Sequence, residues 1–133
     1  MSSENVELVR SIYDAWREGR SARGHLDPDI EYVNPPDAVE PGTIRGAASF
    51  GRIRDAYDDV RIEPLELIDA GEEVVVIATV HATGRGSGVP IEWHHGYIWT
   101  IRGDRAVRFR WFNDPAQALA AAGVGRRRGP SRG

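Results

Sequence analysis

The 133-residue chain has no cysteine, which excludes disulfides, thiolate nucleophiles and cysteine zinc sites. It has no lysine either: all 17 of its Lys/Arg residues are arginine. Schiff-base chemistry therefore has no side-chain amine, and a Walker-type phosphate loop lacks its lysine. No apolar run approaches membrane-spanning length. The first residues, Met1-Ser2-Ser3-Glu4, are polar and acidic rather than basic then apolar. That pattern argues against a secretory leader and for a cytoplasmic location. A formal net charge of −3 gives no reason to expect a nucleic-acid partner. The one basic cluster is Arg126-Arg127-Arg128, in a stretch with no apolar residue to pack. The expected division is one folded domain over 1–124 and a basic, disordered tail over 125–133.

The hydrophobic fraction of 41% supports a modest core in a single domain. Residues 4–17 read as a helix, with Val9, Ile12, Tyr13 and Trp16 at i, i+3, i+4 and i+7 on one face. Glu4 and Glu7 open it, Arg17 lies near its end and Gly19 stops it. The polar stretch 20–28 has room for another helical turn, and 30–33 reads as a short strand ending at Asn34-Pro35-Pro36. Residues 35–46 read as a Pro/Gly-rich loop, and 47–57 as a helix with Phe50, Ile53 and Tyr57 on one face. Strands are expected over 61–69, 73–83, 89–101 and 106–113, joined by Asp69-Ala70-Gly71, by Gly84-Arg85-Gly86-Ser87-Gly88 and by Arg102-Gly103-Asp104. These are hairpin links, so the sheet should be an antiparallel meander. A last helix over 115–122 starts at Pro115 and is followed by Gly123. The sum is an α+β domain with its helices on one face of a curved sheet, leaving space for a pocket.

Four pieces of this chain, taken in order, resemble the SnoaL-like branch of the NTF2-like superfamily, which includes polyketide cyclases and ketosteroid isomerase. They are Tyr13-Asp14-Ala15-Trp16; Pro28-Asp29-Ile30-Glu31-Tyr32-Val33-Asn34-Pro35 with Gly42 and Arg45-Gly46; Gly84 to Gly88 leading into Tyr97-Ile98-Trp99-Thr100-Ile101; and Val107-Arg108-Phe109-Arg110-Trp111-Phe112-Asn113-Asp114 with Ala118-Leu119 and Ala121-Ala122-Gly123. The resemblance runs from about Val6 to Val124. It implies an NTF2-like cone, a curved antiparallel sheet wrapped around N-terminal helices with an internal pocket. It does not specify a reaction, because this fold hosts isomerases, cyclases, dehydratases and binders.

Strand alternation puts Trp93, His95, Tyr97, Trp99 and Ile101 on one face, and Glu92, His94, Gly96, Ile98 and Thr100 on the other. In the last strand it groups Val107, Phe109, Trp111 and Asn113 against Arg108, Arg110 and Phe112. The resemblance makes the first set of each strand the pocket wall. The second set becomes a convex face suited to a homodimer, or a solvated face with buried arginine stems.

The resemblance also places the family's donor tyrosine on Tyr13 and its strand donor acid on Tyr97. Its usual carboxylate base falls on Asn34, and an amide cannot abstract a proton at neutral pH. His95 is the replacement base expected here, two residues from Tyr97 on the same face. A histidine bonded to a tyrosine or carbonyl, doing no chemistry, fits the same pattern. Tyr13, Tyr97 and His95 are thus the candidate catalytic residues. Asn34, Trp16, Trp93, Trp99, Phe109 and Trp111 are the candidate substrate-binding set, Trp16 being also a core residue of its helix. His94 should point away, and adjacent strand histidines do not make a metal site. The facing of His81 depends on hairpin register. His25 is expected at the surface, Asp29 in a turn and Asp114 as a helix N-cap. No metal or organic cofactor is expected, and the expected ligand is a small hydrophobic, partly oxygenated molecule. A non-catalytic binding protein and an assembly module using the convex face are the rivals to an enzyme.

Overall fold

The computed structural model describes residues 2–38, 40–51 and 57–124. Helix α1 (Ser2–Arg17) leads through a 3₁₀ turn (Arg23–His25) to β1 (Leu26–Asn34) and β2 (Gly42–Arg45). A second 3₁₀ turn (Ala47–Gly51) precedes β3 (Tyr57–Ala70), β4 (Glu73–Gly84), β5 (Pro90–Arg102) and β6 (Arg105–Phe112), and α2 (Pro115–Ala121) follows. The strands form one curved, unclosed sheet in the order β2-β1-β6-β5-β4-β3.

The expected α+β class holds, and β3 to β6 pair as the expected antiparallel meander. The sheet is not wholly antiparallel: β1 lies parallel to β6, with Tyr32 opposite Phe109. A parallel pair joins segments far apart in sequence, so no turn motif announces it. Strand β1 starts four residues earlier than alternation predicts. Its register slips between Leu26 and Glu31, and both Leu26 and Ile30 are buried despite the slip. Strand β2 lies inside the expected Pro/Gly loop, because its Gly-Thr-Ile-Arg sequence has no apolar alternation. The helix expected over 47–57 is only the 3₁₀ turn within the described residues. Ile53 lies outside them, and Tyr57 belongs to β3. The expected tail, 125–133, also lies outside them.

Helix α1 closes as its sequence predicts. Gly19 takes a φ of +76°, which L-residues avoid. The Gly19 N–H donates to Trp16 O and the Arg20 N–H to Ala15 O, the paired bonds of a Schellman cap. At α2 the Asp114 carboxylate accepts from the Ala116 N–H at 2.9 Å, the expected N-cap.

The two helices lie on opposite faces of the sheet, not on one as expected. Helix α1 buries Val9, Ile12, Tyr13 and Ala15 against the inner-face residues Val74, Val76, Tyr97, Trp99 and Phe109. Helix α2 packs Ala118 on the outer face, with Val75 and Ile98 beneath it and Phe112 beside it. Its close approach is set by Gly96: a Cβ there would stand 2.6 Å from Ala118 Cβ and 2.9 Å from Pro115 Cα. Only a residue without a side chain fits under that backbone.

Candidate functional site

The inner face carries the chemistry-bearing side chains. Strand β5 presents Trp93, His95, Tyr97, Trp99 and Ile101, and cross-strand register sets Tyr97 opposite Trp111 and Trp99 opposite Phe109. In β6 the expected alternation breaks. Ile101 pairs with Ala106 and Thr100 with Arg108, so Val107 is the extra residue of a bulge. Ala106, fully buried, takes the inner place expected for Val107. Strand β1 adds Ile30, Tyr32 and Asn34 by alternation, and α1 adds Tyr13 and Trp16.

These residues form a continuous ring cluster. In its deep part Tyr13 meets Trp16 and Trp99 edge-on at 5.5 and 5.9 Å, and Phe50 stacks flat on Trp99 at 5.5 Å. Phe109 links Trp99, Tyr32, Phe50 and Tyr97. In its outer part His95 lies between Trp93 at 6.0 Å and Trp111 at 5.4 Å, and Tyr57 caps Trp93. Trp99 has no exposed surface and backs the other rings, whereas Trp16, Trp93, His95 and Trp111 are half-buried. Tyr32 and Phe50 were not among the expected site residues. The alternation of Ile30, Tyr32 and Asn34 is the signal that points to Tyr32.

Among the described residues, three hydrogen bonds on this face involve Tyr13, Asn34 and the His95–Tyr97 pair. The Trp99 indole N–H donates to the Tyr13 hydroxyl oxygen at 3.1 Å. The Trp111 indole N–H donates to Asn34 Oδ1 at 2.7 Å. His95 Nδ1 and the Tyr97 hydroxyl are 3.1 Å apart. An imidazole nitrogen both donates and accepts depending on tautomer, so either direction satisfies that pair.

Burial sets the protonation of all three titratable groups. Loss of water lowers the His95 pKa from 6.5 to about 4, with His94 adding a smaller repulsion. His95 is therefore neutral at physiological pH. Burial raises both phenols, with charge repulsion from Tyr32 adding at Tyr97 and from Tyr97 adding at Tyr13. Both stay protonated and able to donate. The arrangement thus offers a neutral imidazole beside one protonated phenol, Tyr97, with a second, Tyr13, deeper in the cluster, in an apolar setting that strengthens each polar contact.

The remaining histidines lie elsewhere. Register puts His81 opposite Glu92 on the outer face, with Glu63 and Glu92 3.5 and 3.8 Å away. His94 also faces outward, as expected, between Thr79 Oγ1 and Glu92 at 3.3 Å each. Among the described residues no group of three or more His, Asp or Glu side chains is placed to hold a metal ion. A surface groove of about 680 Å³ lies at one end of β3, β4 and β5, lined by Asp59, Arg61, His81, Thr83, Pro90 and Glu92 among others. It contains none of the ring cluster; the inner face is the candidate site because it carries the His95–Tyr97 pair. No described helix is long and apolar enough to cross a membrane.

The comparisons with known proteins agree with this architecture. No curated protein matches the chain. Among solved structures, an NTF2-like protein of unknown function from Burkholderia pseudomallei K96243 is 25% identical, with a TM-score of 0.71 over 88% of this chain and 95% of that one. TerC, co-crystallized with polyporic acid, is 23% identical, with a TM-score of 0.71 over 90% and 98%. A protein assigned as a SnoaL-like polyketide cyclase from Jannaschia sp. CCS1 is 17% identical, with a TM-score of 0.70 over 90% and 92%. At these identities the last two show the shared fold alone. The SnoaL-like domain model matches residues 9–109, most of the folded part, and the chain therefore belongs to the SnoaL-like family.

Proposed function

We propose that this protein binds a small hydrophobic, partly oxygenated molecule against its inner face and moves a proton on it, as an isomerase, cyclase or dehydratase. The observation that carries this reading is the His95–Tyr97 pair at 3.1 Å, with His95 held neutral. In the tautomer with the proton on Nδ1, that N–H donates to Tyr97 and Nε2 keeps its lone pair for the substrate. His95 takes a proton from carbon next to a carbonyl and returns it at a second position. The charge that develops on the carbonyl oxygen meets hydroxyl donors. Tyr13 suits that role because Trp99 occupies its acceptor side, leaving its O–H to donate onward. Trp93 and Trp111 flank the imidazole, and a flat ligand can stack there. This proton transfer calls on no metal or organic cofactor.

The test is proton exchange of tetralone in heavy water, followed by proton NMR. Wild-type protein should exchange the proton next to the carbonyl faster than buffer, and His95→Ala should not. Equal exchange by His95→Ala would remove His95 from the mechanism.

One observation favours a second reading, a non-catalytic binder. Asn34, onto which the resemblance to ketosteroid isomerase-like sites places the usual carboxylate base, is an amide tied to Trp111. A metabolite that binds tightly and leaves chemically unchanged would decide for it. In either case we propose a cytoplasmic homodimer through the outer face. Because α2 takes up Ile98 and Phe112, such a dimer would use the polar remainder around His81, Glu92 and His94.

A further inference from the structure

The bond between Trp111 and Asn34 fixes more than a contact. An indole N–H can only donate, so the atom 2.7 Å from it must be the amide oxygen. The reverse orientation would set two donors against each other in a half-buried place. The Asn34 amide therefore turns its NH₂ away from Trp111, and among the described residues no acceptor takes up either hydrogen. Asn34 shares the inner side of β1 with Ile30 and Tyr32. The same indole lies 5.4 Å from the His95 ring, so Asn34 and His95 flank Trp111.

We infer that Asn34 is a fixed hydrogen-bond donor, oriented by Trp111 as a positioning residue, and that the ligand sets a carbonyl-type acceptor oxygen against it, distinct from the one that meets the hydroxyl donors. This inference rests on the reading that the inner face is where the ligand binds. It selects ketones, quinones or similar carbonyl compounds over hydrocarbons of the same shape.

The test compares acetylnaphthalene with ethylnaphthalene, substituted at the same ring position, by tryptophan fluorescence titration and by NMR of the nitrogen-15-labelled side-chain amides. Wild-type protein should bind the ketone about threefold to tenfold tighter, the range expected of one net hydrogen bond. The Asn34 NH₂ signals should shift with the ketone and not with the hydrocarbon. Trp111→Phe keeps an aromatic ring but frees the amide, and should bring the ratio close to one. Asn34→Asp keeps the Trp111 bond and replaces the donor by an acceptor, so it should abolish or reverse the preference. A merely structural role for Trp111 would weaken both ligands equally. Equal binding of the two probes to wild type, or a preference that survives both substitutions, overturns the inference while leaving the inner-face site intact. Binding of neither probe overturns the inner-face reading, and the inference with it.

Discussion

Acidification from about pH 7 to about pH 4.5 should destabilise the wild-type fold more than a His95→Gln variant. The imidazole sits between Trp93 and Trp111, with Tyr97 at Nδ1, Ala78 opposite on β4 and His94 as the nearby charge. That setting lowers its pKa from 6.5 to about 4. In the unfolded chain the ring takes up its proton through 6.5, whereas in the folded chain it does so only near 4. Between those values the unfolded state binds more protons. The contribution to stability is therefore complete above the unfolded value and is lost as pH falls toward the folded one. At about 1.4 kcal/mol for each tenfold difference in proton affinity, the upper limit is about 3 kcal/mol. The ring is only half-buried, and water screens part of this, so about 1–2 kcal/mol is expected. Urea unfolding followed by tryptophan fluorescence, with both proteins at both pH values, measures it. The acidic residues are the same in both proteins, so the difference between them isolates His95. Parallel losses in the two proteins, or an NMR titration of His95 centred near 6.5, would refute the reasoning.

Gly96→Ala should cost about 1–3 kcal/mol by overpacking, because the new methyl group would stand 2.6 Å from the Ala118 Cβ and 2.9 Å from the Pro115 Cα. Thermal unfolding reads that loss, and an unchanged midpoint would mean that α2 does not sit where the structure has it. Tyr13→Phe leaves the Trp99 N–H buried with its acceptor removed, and should lower stability by about 1–3 kcal/mol in urea. A neutral result would show that another acceptor serves that N–H. For the dimer, His94→Glu sets a second acid beside Glu92 on the outer face. Sedimentation velocity should show a dimer for wild type and a monomer for the variant, and a monomeric wild type ends that proposal.

Much of this protein is legible locally. The stripe of Val9, Ile12, Tyr13 and Trp16, the cap at Gly19, the Asp114–Pro115 start of α2 and the turns between β3 and β6 each depend on neighbours in sequence. Alternation alone placed Trp93, His95, Tyr97 and Trp99 on one face, because nothing interrupts β5 across those residues. Where a strand is interrupted, alternation failed. The bulge at Val107 gave its inner place to Ala106, and the slip within β1 hid half of that strand.

The amino-acid sequence thus determined the helix ends, the meander and the aromatic face with its histidine, since these follow from residue chemistry within a few positions. Tertiary structure alone decided which groups meet. The parallel pairing of β1 with β6 brings Asn34 to Trp111 across 77 residues, and α1 brings Tyr13 to Trp99 across 86. Register sends His81 outward, and Gly96 is needed only because α2 folds back over β5. The same holds for the protonation of His95: its chemistry is in the sequence, but the burial that keeps it neutral exists only once β5, β6 and their rings have packed.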